Sequence, residues 1–174
     1  DTLAVGALGE ASAARGVGGD QADNTANFSG AAYTFVRNGS SVWSQQAYLK
    51  ASNTGVGDRF GVALSLSSDG RTLAVGAHEE ASNARGIDGV QDNEDAAGSG
   101  AVYLFASDGT SWTQRRYIKA PDALAQDNFG FSLALSGDAS TLVVSAIAEA
   151  SAATGIGGDR ESTAAAGSGA VYLY

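Results

Sequence analysis

The fold is decided by a short apolar stretch, Thr-Leu-Ala-Val-Gly-Ala at residues 72–77, that occurs three times along the chain. The same six residues form positions 2–7, and the variant Thr-Leu-Val-Val-Ser-Ala forms positions 141–146. A fixed internal period of about 70 residues is typical of repeat architectures, in which every copy is one structural unit. The sequence therefore predicts three copies of a single unit.

Other landmarks keep the same order and spacing in each copy. They are Gly-Ala-Val-Tyr-Leu-Phe at 100–105 with its relatives at 30–35 and 169–174, Trp43 and Trp112, Tyr-Leu-Lys-Ala at 48–51 and Tyr-Ile-Lys-Ala at 117–120, and Asp-Arg-Phe-Gly at 58–61 and Asp-Asn-Phe-Gly at 127–130. Together they cover almost all of the 174 residues. No part of the chain stands outside the repeat.

Each unit predicts four short antiparallel strands. The first strand, at 60–66 and again at 129–135, alternates bulky and small residues, so both of its faces suit burial between stacked sheets. Turn residues at 67–70 and 136–139 lead into the second strand, and those at 37–40 and 107–110 connect the third strand to the fourth. The chain is therefore predicted to be all-β.

The gradient from small inner strands to a polar outer strand is typical of a β-propeller blade. The fourth strand, at 112–119, carries Gln, Arg and Lys. The strand count gives a partial blade at 1–51, a full four-stranded blade at 58–120 and a partial blade at 127–174, or about two and a half blades. Propellers close with about four to eight blades. We expect the chain to belong to a larger propeller, to assemble with copies of itself, or to stack as an open array.

This combination of landmarks resembles the FG-GAP repeat of the integrin alpha-subunit propellers, with Phe-Gly in the first strand and Val-Gly-Ala in the second. The similarity is greater to bacterial FG-GAP-like repeats that occur in tandem in secreted or surface proteins. The resemblance implies a propeller fold and an extracellular or cell-surface location. The integrin calcium loops are not implied, because only Asp69 or Asp138 lies in the corresponding turn and calcium prefers six to eight oxygen ligands.

Charge and composition exclude several classes of function. The chain has 10 Lys and Arg against 19 Asp and Glu, a formal net charge of −9, and no basic cluster longer than Arg115-Arg116. Nucleic-acid affinity depends on basic residues that neutralise phosphates, so we expect no nucleic-acid partner. No apolar run approaches the roughly 18 residues of a membrane span, so we expect no membrane insertion. With 0 Cys, disulfides and thiol catalysis are excluded.

A long loop between the second and third strands, at 10–29, 80–99 and 149–168, is a candidate functional segment. Its middle copy concentrates oxygen-bearing side chains, which suit a hard cation. The candidate calcium ligands are Glu80, Asp88, Asp92, Asn93 and Asp95. The alternative is a solvated acidic loop, and it gains support because the third copy keeps fewer carboxylates.

Aromatic residues and the single histidine offer two further candidates. Trp43 and Trp112 suit stacking on sugar rings, or, as the alternative, packing between blades. His78 replaces Leu8 and Ile147 of the other units, with no partner group repeated around it, so we expect no catalytic role. No nucleophile elbow, phosphate loop or metalloprotease motif occurs, and the chain is predicted not to be an enzyme.

The leading functional hypothesis is a non-enzymatic extracellular or cell-surface repeat module for adhesion or structural scaffolding, in which the long loops form the contact surface. Its partners would be a protein or glycan on a cell surface or matrix, together with further blades or copies of the chain. The alternatives are a lectin-like, carbohydrate-binding propeller and a self-assembling filament or surface-layer subunit that associates through unpaired blade edges.

Overall fold

The computed structural model describes residues 1–37 and 39–174, and these residues form ten β-strands and no helix. The strands are β1 (Thr2–Ala7), β2 (Ala31–Arg37), β3 (Trp43–Leu49), β4 (Leu64–Leu66), β5 (Thr72–Ala77), β6 (Ala101–Ser107), β7 (Trp112–Ile118), β8 (Phe129–Leu135), β9 (Leu142–Ala146) and β10 (Ala170–Leu173). The all-β prediction is confirmed.

The strands form three antiparallel sheets that follow the repeat. Sheet 1 has the order β1-β2-β3, sheet 2 the order β4-β5-β6-β7, and sheet 3 the order β8-β9-β10. Equivalent strands pair in equivalent registers, so that Val5 faces Tyr33 in sheet 1 as Val75 faces Tyr103 in sheet 2. The β2–β3 and β6–β7 ladders both shift register one residue after that tyrosine. In the part of the chain that the structure describes, the sheets are three copies of one blade plan, and only sheet 2 has all four strands.

The sheets stack face to face because each has one bulky and one small face. In β5, Leu73 and Val75 belong to the core between sheets 1 and 2, whereas Ala74 belongs to the core between sheets 2 and 3. Phe60 and Phe129, from the two Phe-Gly motifs, are fully buried in these two cores. Burial of such side chains contributes about 1.5–3 kcal/mol each, and interdigitation of large and small residues removes voids. The predicted pairing of bulky and small faces is therefore present at both sheet interfaces.

The glycine of Val-Gly-Ala is required where two sheets approach most closely. A Cβ atom on Gly76 would overlap the carbonyl oxygen of Gly130, and one on Gly6 would overlap that of Gly61. The glycines of the Phe-Gly motifs thus meet the glycines of the preceding sheet, backbone against backbone. In the third unit the equivalent position is Ser145, whose hydroxyl accepts a hydrogen bond from the Ser132 amide at 3.0 Å.

The first strand of the second unit is shorter than the alternation predicts. The pattern indicates a strand from Phe60, but β4 contains only Leu64–Leu66. Gly61 has φ +91°, and the Val62 amide donates a hydrogen bond to the Arg59 carbonyl, so the chain turns before the strand begins. Gly61 departs from extended geometry because it fills the narrow space between sheets 1 and 2. The equivalent strand β8 has the predicted bounds, but it contains the same turn: Gly130 has φ +87°, the Phe131 amide donates to the Asn128 carbonyl, and the pairing with β9 is irregular between Phe129 and Leu133.

The predicted tight turns are stabilised by their own side chains. In the turn at 67–70, Asp69 accepts hydrogen bonds from the Ser67 hydroxyl at 2.6 Å and the Arg71 amide at 3.0 Å. These bonds hold the pKa of Asp69 below its usual value. Asp138 makes the same contacts in the third unit. In the predicted turn at 37–40, Asn38 lies outside the described residues.

Candidate functional site

The three long loops occupy one end of the stacked sheets. Each joins the second strand of a unit to the third: β1 to β2, β5 to β6 and β9 to β10. Because the loops join equivalent strands in each sheet, they lie on the same side of the molecule. The loops form a row along one rim.

Hydrogen bonds within each loop give it a defined conformation. In the second loop, the Ala96 amide donates to the Ala81 carbonyl at 2.8 Å, and the Gly100 amide donates to the Glu80 carbonyl at 2.9 Å. The first loop contains the same two bonds, from Ala26 to Ala11 and from Gly30 to Glu10. The third loop has their equivalents as well. The loops are therefore repeated structures and not free linkers.

A buried ion pair fixes the second loop to the outer strand β7. Lys119 Nζ lies 2.6 Å from Oε2 of Glu80 and donates to the Ser99 hydroxyl at 2.6 Å. The other carboxylate oxygen of Glu80 accepts from Tyr117 OH at 2.8 Å and from Asn53 Nδ2 at 2.8 Å. Lys119 and Glu80 are 0% and 1% exposed in their side chains. Every charge is compensated, as a buried ion pair requires.

The first unit repeats this arrangement. Lys50 Nζ lies 2.8 Å from Oε2 of Glu10 and 2.8 Å from the Ser29 hydroxyl. Burial lowers the pKa of both Lys50 and Lys119, while the facing glutamates act in the opposite direction. A glutamate, a serine and a lysine thus recur in the first two units, where the cluster fastens the long loop to the outer strand of its blade.

The tips of the loops present one exposed aliphatic residue per unit. Val17, Ile87 and Ile156 occupy equivalent positions and are 41%, 54% and 106% exposed. Each lies between two residues with positive φ, of which five are glycines and one is Asp88. Val17 and Ile87 form isolated β-bridges with Leu49 and Ile118 at the ends of β3 and β7. Backbone pairing thus holds two of the three apolar side chains outward.

A polar groove of about 450 Å³ separates the first loop from the second, lined by Arg15, Asn53, Gln91, Asp92 and Glu94. Asp58 is buried nearby, and its pKa is raised to about 7 by desolvation, with the charges of Glu80 and Glu94 adding to the effect. The guanidinium of Arg15 and the carboxylates at the other side give the groove groups of both signs. Such a groove suits polar ligands rather than apolar ones.

Of the five residues predicted as calcium ligands, Asn93 and Asp95 lie close together, whereas Glu80 and Asp88 have partners elsewhere. Glu80 is buried in the Lys119 cluster, and Asp88 accepts hydrogen bonds from Arg116 Nη1 at 3.1 Å and from the Tyr117 amide at 3.0 Å. Asn93 and Asp95 accept hydrogen bonds from Asn83, and Asp92 lines the groove. Within the described residues, no three His, Cys, Asp or Glu side chains are grouped as metal ligands. Calcium binding by this loop stays a prediction, and the function proposed below does not depend on it.

The two tryptophans have different environments despite their equivalent positions. Trp112 is 3% exposed and donates a hydrogen bond from Nε1 to Oε1 of Gln46 at 2.8 Å, so sheet 1 covers it. Trp43 is 45% exposed, with the Arg37 guanidinium 5.6 Å from its ring centroid. Trp112 packs between blades, and only Trp43 has ring surface open to a ligand.

His78 is buried beside the third sheet. The ring of His78 packs edge-on against the ring of Phe131, with 5.2 Å between the ring centroids. Its Nε2 atom lies 3.6 Å from a carboxylate oxygen of Glu79. Burial lowers the pKa of His78. Nδ1 has no hydrogen-bond partner among the residues that the structure describes. The contacts of His78 are those of an aromatic packing residue.

A row of stacked antiparallel sheets that follow one strand plan, with a small-residue inner strand and a polar outer strand in the complete sheet 2 and a long loop on the same rim in every unit, defines a repeat protein built from propeller blades. The family model described as FG-GAP repeat matches residues 43–105 and 112–174. The chain belongs to this family. A comparison with curated proteins found no match.

The matched ranges begin at the fourth strand of one blade and end at the third strand of the next, so the sequence repeat is offset from the structural blade by one strand. Each sequence repeat therefore contains the outer strand of one blade and the first three strands of the next blade, so it links two neighbouring blades. FG-GAP repeats typically occur in extracellular proteins, and a search of the described residues found no helix suited to crossing a membrane.

Proposed function

We propose that this chain is a non-enzymatic repeat module that serves adhesion or structural scaffolding outside the cell or on its surface. The long loops are its contact surface. The observation that carries the proposal is the exposure of Val17, Ile87 and Ile156 at the same position of three equivalent loops. Single exposed apolar residues are ordinary on protein surfaces, but one at each repeat of a rim makes a regular array.

The anchoring of the loops supports a binding role. Hydrogen bonds inside each loop and the buried Lys50–Glu10 and Lys119–Glu80 pairs hold the loop backbone before any partner arrives. A surface that is ordered in advance loses less conformational entropy on binding. The partner is a protein or glycan of a cell surface or matrix that contacts several loops at once.

A set of loop variants tests this proposal. The triple variant Val17→Ser, Ile87→Ser, Ile156→Ser should lose most of its retention on immobilised cell-surface or matrix extract, because three apolar contacts are removed together. The control is the double variant Val56→Ser, Leu124→Ser, which changes exposed aliphatic residues outside the long loops. Equal retention of the triple variant and the unmodified chain would overturn the role of the loops.

Carbohydrate binding is a second candidate, favoured by the open ring of Trp43. The face of an exposed indole stacks on apolar sugar faces, and Arg37 beside it adds a hydrogen-bond donor. A glycan array that compares the unmodified chain with Trp43→Ala tests it. Glycan signals that are present for the unmodified chain and lost in the variant would support this alternative, and an array with no signal would remove it.

Association with further blades or with copies of the chain is a third candidate. Leu3, Val5 and Trp43 are exposed on sheet 1, and Val171 and Leu173 are exposed on sheet 3. The corresponding residues of sheet 2, such as Leu73 and Val75, are buried against a neighbouring sheet. Sedimentation of the chain at increasing concentration tests whether these faces associate, and a concentration-independent monomer would contradict it.

A further inference from the structure

The polar groove between the first and second long loops has walls that are held in place by hydrogen bonds. Both walls are fastened to the connection that follows β3. In the first loop, Gly16 exchanges backbone hydrogen bonds with Lys50 at 2.7 Å and Ala51 at 3.3 Å. In the second loop, the carbonyl of Gln91 accepts a hydrogen bond from Asn53 Nδ2 at 3.2 Å. The groove is therefore an ordered cavity before any ligand arrives.

The two amide side chains that line the groove are already engaged by the protein. Asn53 donates to Glu80 and to the Gln91 carbonyl, and its Oδ1 accepts from Tyr103 OH at 2.6 Å. Oε1 of Gln91 accepts from the Ser52 hydroxyl at 2.7 Å, which fixes the orientation of this carboxamide. The charged side chains of the groove are therefore the main groups that can select a ligand.

Charged side chains of opposite sign line the two walls without pairing. Arg15 belongs to the first loop, whereas Asp92 and Glu94 belong to the second. Among the described residues, no ion pair involves any of the three. A guanidinium and two carboxylates that are kept apart by a groove can each pair with a ligand group of the opposite charge. The groove therefore suits a ligand that carries a positive and a negative charge at separate ends.

Carboxylates buried near the groove favour a cation at the wall of the second loop. Burial raises the pKa of Glu94, and the charge of Glu80 adds to this effect, while Lys119 acts in the opposite direction. The charges of Glu80 and Glu94 also contribute to the raised pKa of the buried Asp58. A ligand ammonium group beside Glu94 would reduce the repulsion among these carboxylates. The positive end of the ligand is therefore assigned to the second loop.

We propose that this groove binds a short peptide with free ends, whose carboxylate pairs with Arg15 and whose ammonium group pairs with Asp92 and Glu94. A guanidinium can bind a carboxylate through two parallel hydrogen bonds. The walls belong to neighbouring sheets, which pack about 10 Å apart, and an extended tripeptide spans about 10 Å. The volume of about 450 Å³ is that of a small-molecule site. This inference does not depend on the adhesion proposal, which concerns the loop tips.

Titration of the isotope-labelled chain with trialanine, followed by amide chemical shifts in NMR spectra, tests the inference. Three forms of the peptide are compared: one with both ends free, one with an acetylated amino end and one with an amidated carboxyl end. The form with free ends should shift the amide signals of the groove walls, at residues 14–16 and 91–94. Each capped form lacks one charge and should bind about fivefold more weakly, as expected for the loss of one solvent-accessible ion pair.

Variants of the chain assign each end of the peptide to one wall. Arg15→Gln should bind the free and amidated peptides equally, because the partner of the carboxylate is gone. The double variant Asp92→Asn, Glu94→Gln should instead bind the free and acetylated peptides equally. The control is Arg85→Gln, which changes the exposed equivalent of Arg15 in the second loop and should leave all three affinities unchanged. All four side chains are exposed, so these variants should fold normally.

Several results would overturn the inference. One is the absence of shift changes at millimolar concentrations of the free peptide, and another is shift changes confined to residues outside the groove. Equal affinity of the unmodified chain for the free and capped peptides would show that the charges of the two walls do not select the ligand. Shifts of the same amides with a neutral oligosaccharide such as maltotriose, at equal affinity, would assign the groove to polar ligands in general.

Discussion

Lys119 Nζ lies 2.6 Å from Oε2 of Glu80, and the two residues, 39 positions apart, are both inaccessible to solvent. The pair joins the long loop to the end of the outer strand. Burial of two charges is costly, and their mutual attraction compensates for it together with the hydrogen bond that Lys119 donates to Ser99 and those that Glu80 accepts from Tyr117 and Asn53. The energetics of the blade therefore depend on keeping the cluster complete.

Removal of the lysine alone should be strongly destabilising. Lys119→Met leaves the Glu80 carboxylate buried without its cation, and we expect a loss of about 3–5 kcal/mol in the free energy of unfolding. The double variant Lys119→Met, Glu80→Gln should regain part of this loss, since neither residue of the pair is then charged. Urea unfolding measures both.

The control for this prediction is Arg116→Met on the same strand. Arg116 pairs with Asp88 at 3.1 Å, but both side chains are exposed, so the change should cost less than about 1 kcal/mol. Similar costs for Lys119→Met and Arg116→Met would show that burial of the Glu80 pair has no special energetic weight.

Gly76→Ala should destabilise the stack. The added methyl group would overlap the Gly130 carbonyl oxygen and force sheets 2 and 3 apart, with an expected cost of about 1–3 kcal/mol or more. Gly9→Ala is the matched control, because its methyl would meet only the ring of Phe28 at 3.9 Å. Thermal unfolding distinguishes the two, and equal melting temperatures would contradict the close approach.

Asp58 should make the stability depend on pH. Its pKa rises from 3.8 to about 7 on folding, so between these values the folded chain binds more protons than the unfolded chain. The contribution of Asp58 to the free energy of unfolding is therefore fully present below pH 3.8 and is lost as the pH rises to about 7. Asp58→Asn should raise stability at pH 8, by up to about 4 kcal/mol, and have little effect near pH 4.

Urea unfolding across this pH range measures the effect of Asp58. Asp92→Asn removes an exposed carboxylate and therefore controls for the change in net charge. Parallel pH curves for the unmodified chain and Asp58→Asn would refute the assignment.

Truncation of the two tryptophans should have unequal effects. Trp112→Ala removes a buried ring and its hydrogen bond to Gln46, so we expect a loss of about 3–5 kcal/mol. Trp43→Ala removes an exposed ring and should cost within about 1 kcal/mol. Chemical unfolding measures both, and a large loss for Trp43 alone would contradict the packing described for sheet 1.

Much of the fold could be predicted from the sequence because the three copies of the repeat can be compared with one another. The recurrence of residues 72–77 fixes the period, and the alternation of bulky and small residues predicts stacked sheets. The irregular start of the first strand was not predicted, because alternation from Phe60 to Leu66 carries no sign of the backbone turn at Gly61, which recurs at Gly130 within β8. That turn arises from contact with a neighbouring sheet, which lies outside any local pattern.

The lysine clusters could not be predicted from local sequence patterns either. Glu80 was grouped with its acidic neighbours as a candidate calcium ligand, while its actual partner lies on another strand. The available signal was the shared recurrence of Glu10 with Lys50 and of Glu80 with Lys119. Lysine is rarely buried, and Lys50 and Lys119 lie at the ends of polar outer strands. The sequence therefore predicts that they are exposed to solvent and gives no reason to pair them with a glutamate of the loop.

The unequal faces of the sheets give the stack a direction. A bulky face of one sheet always meets a small face of the next, so Leu3 and Val5 mark one end and Val171 and Leu173 mark the opposite end. Two molecules that reuse this packing cannot form a symmetric pair through like ends. Further sheets that reuse this packing, in the same protein or in another molecule, add head to tail, and the angle between successive sheets decides whether such a stack closes into a ring or grows as a fibre.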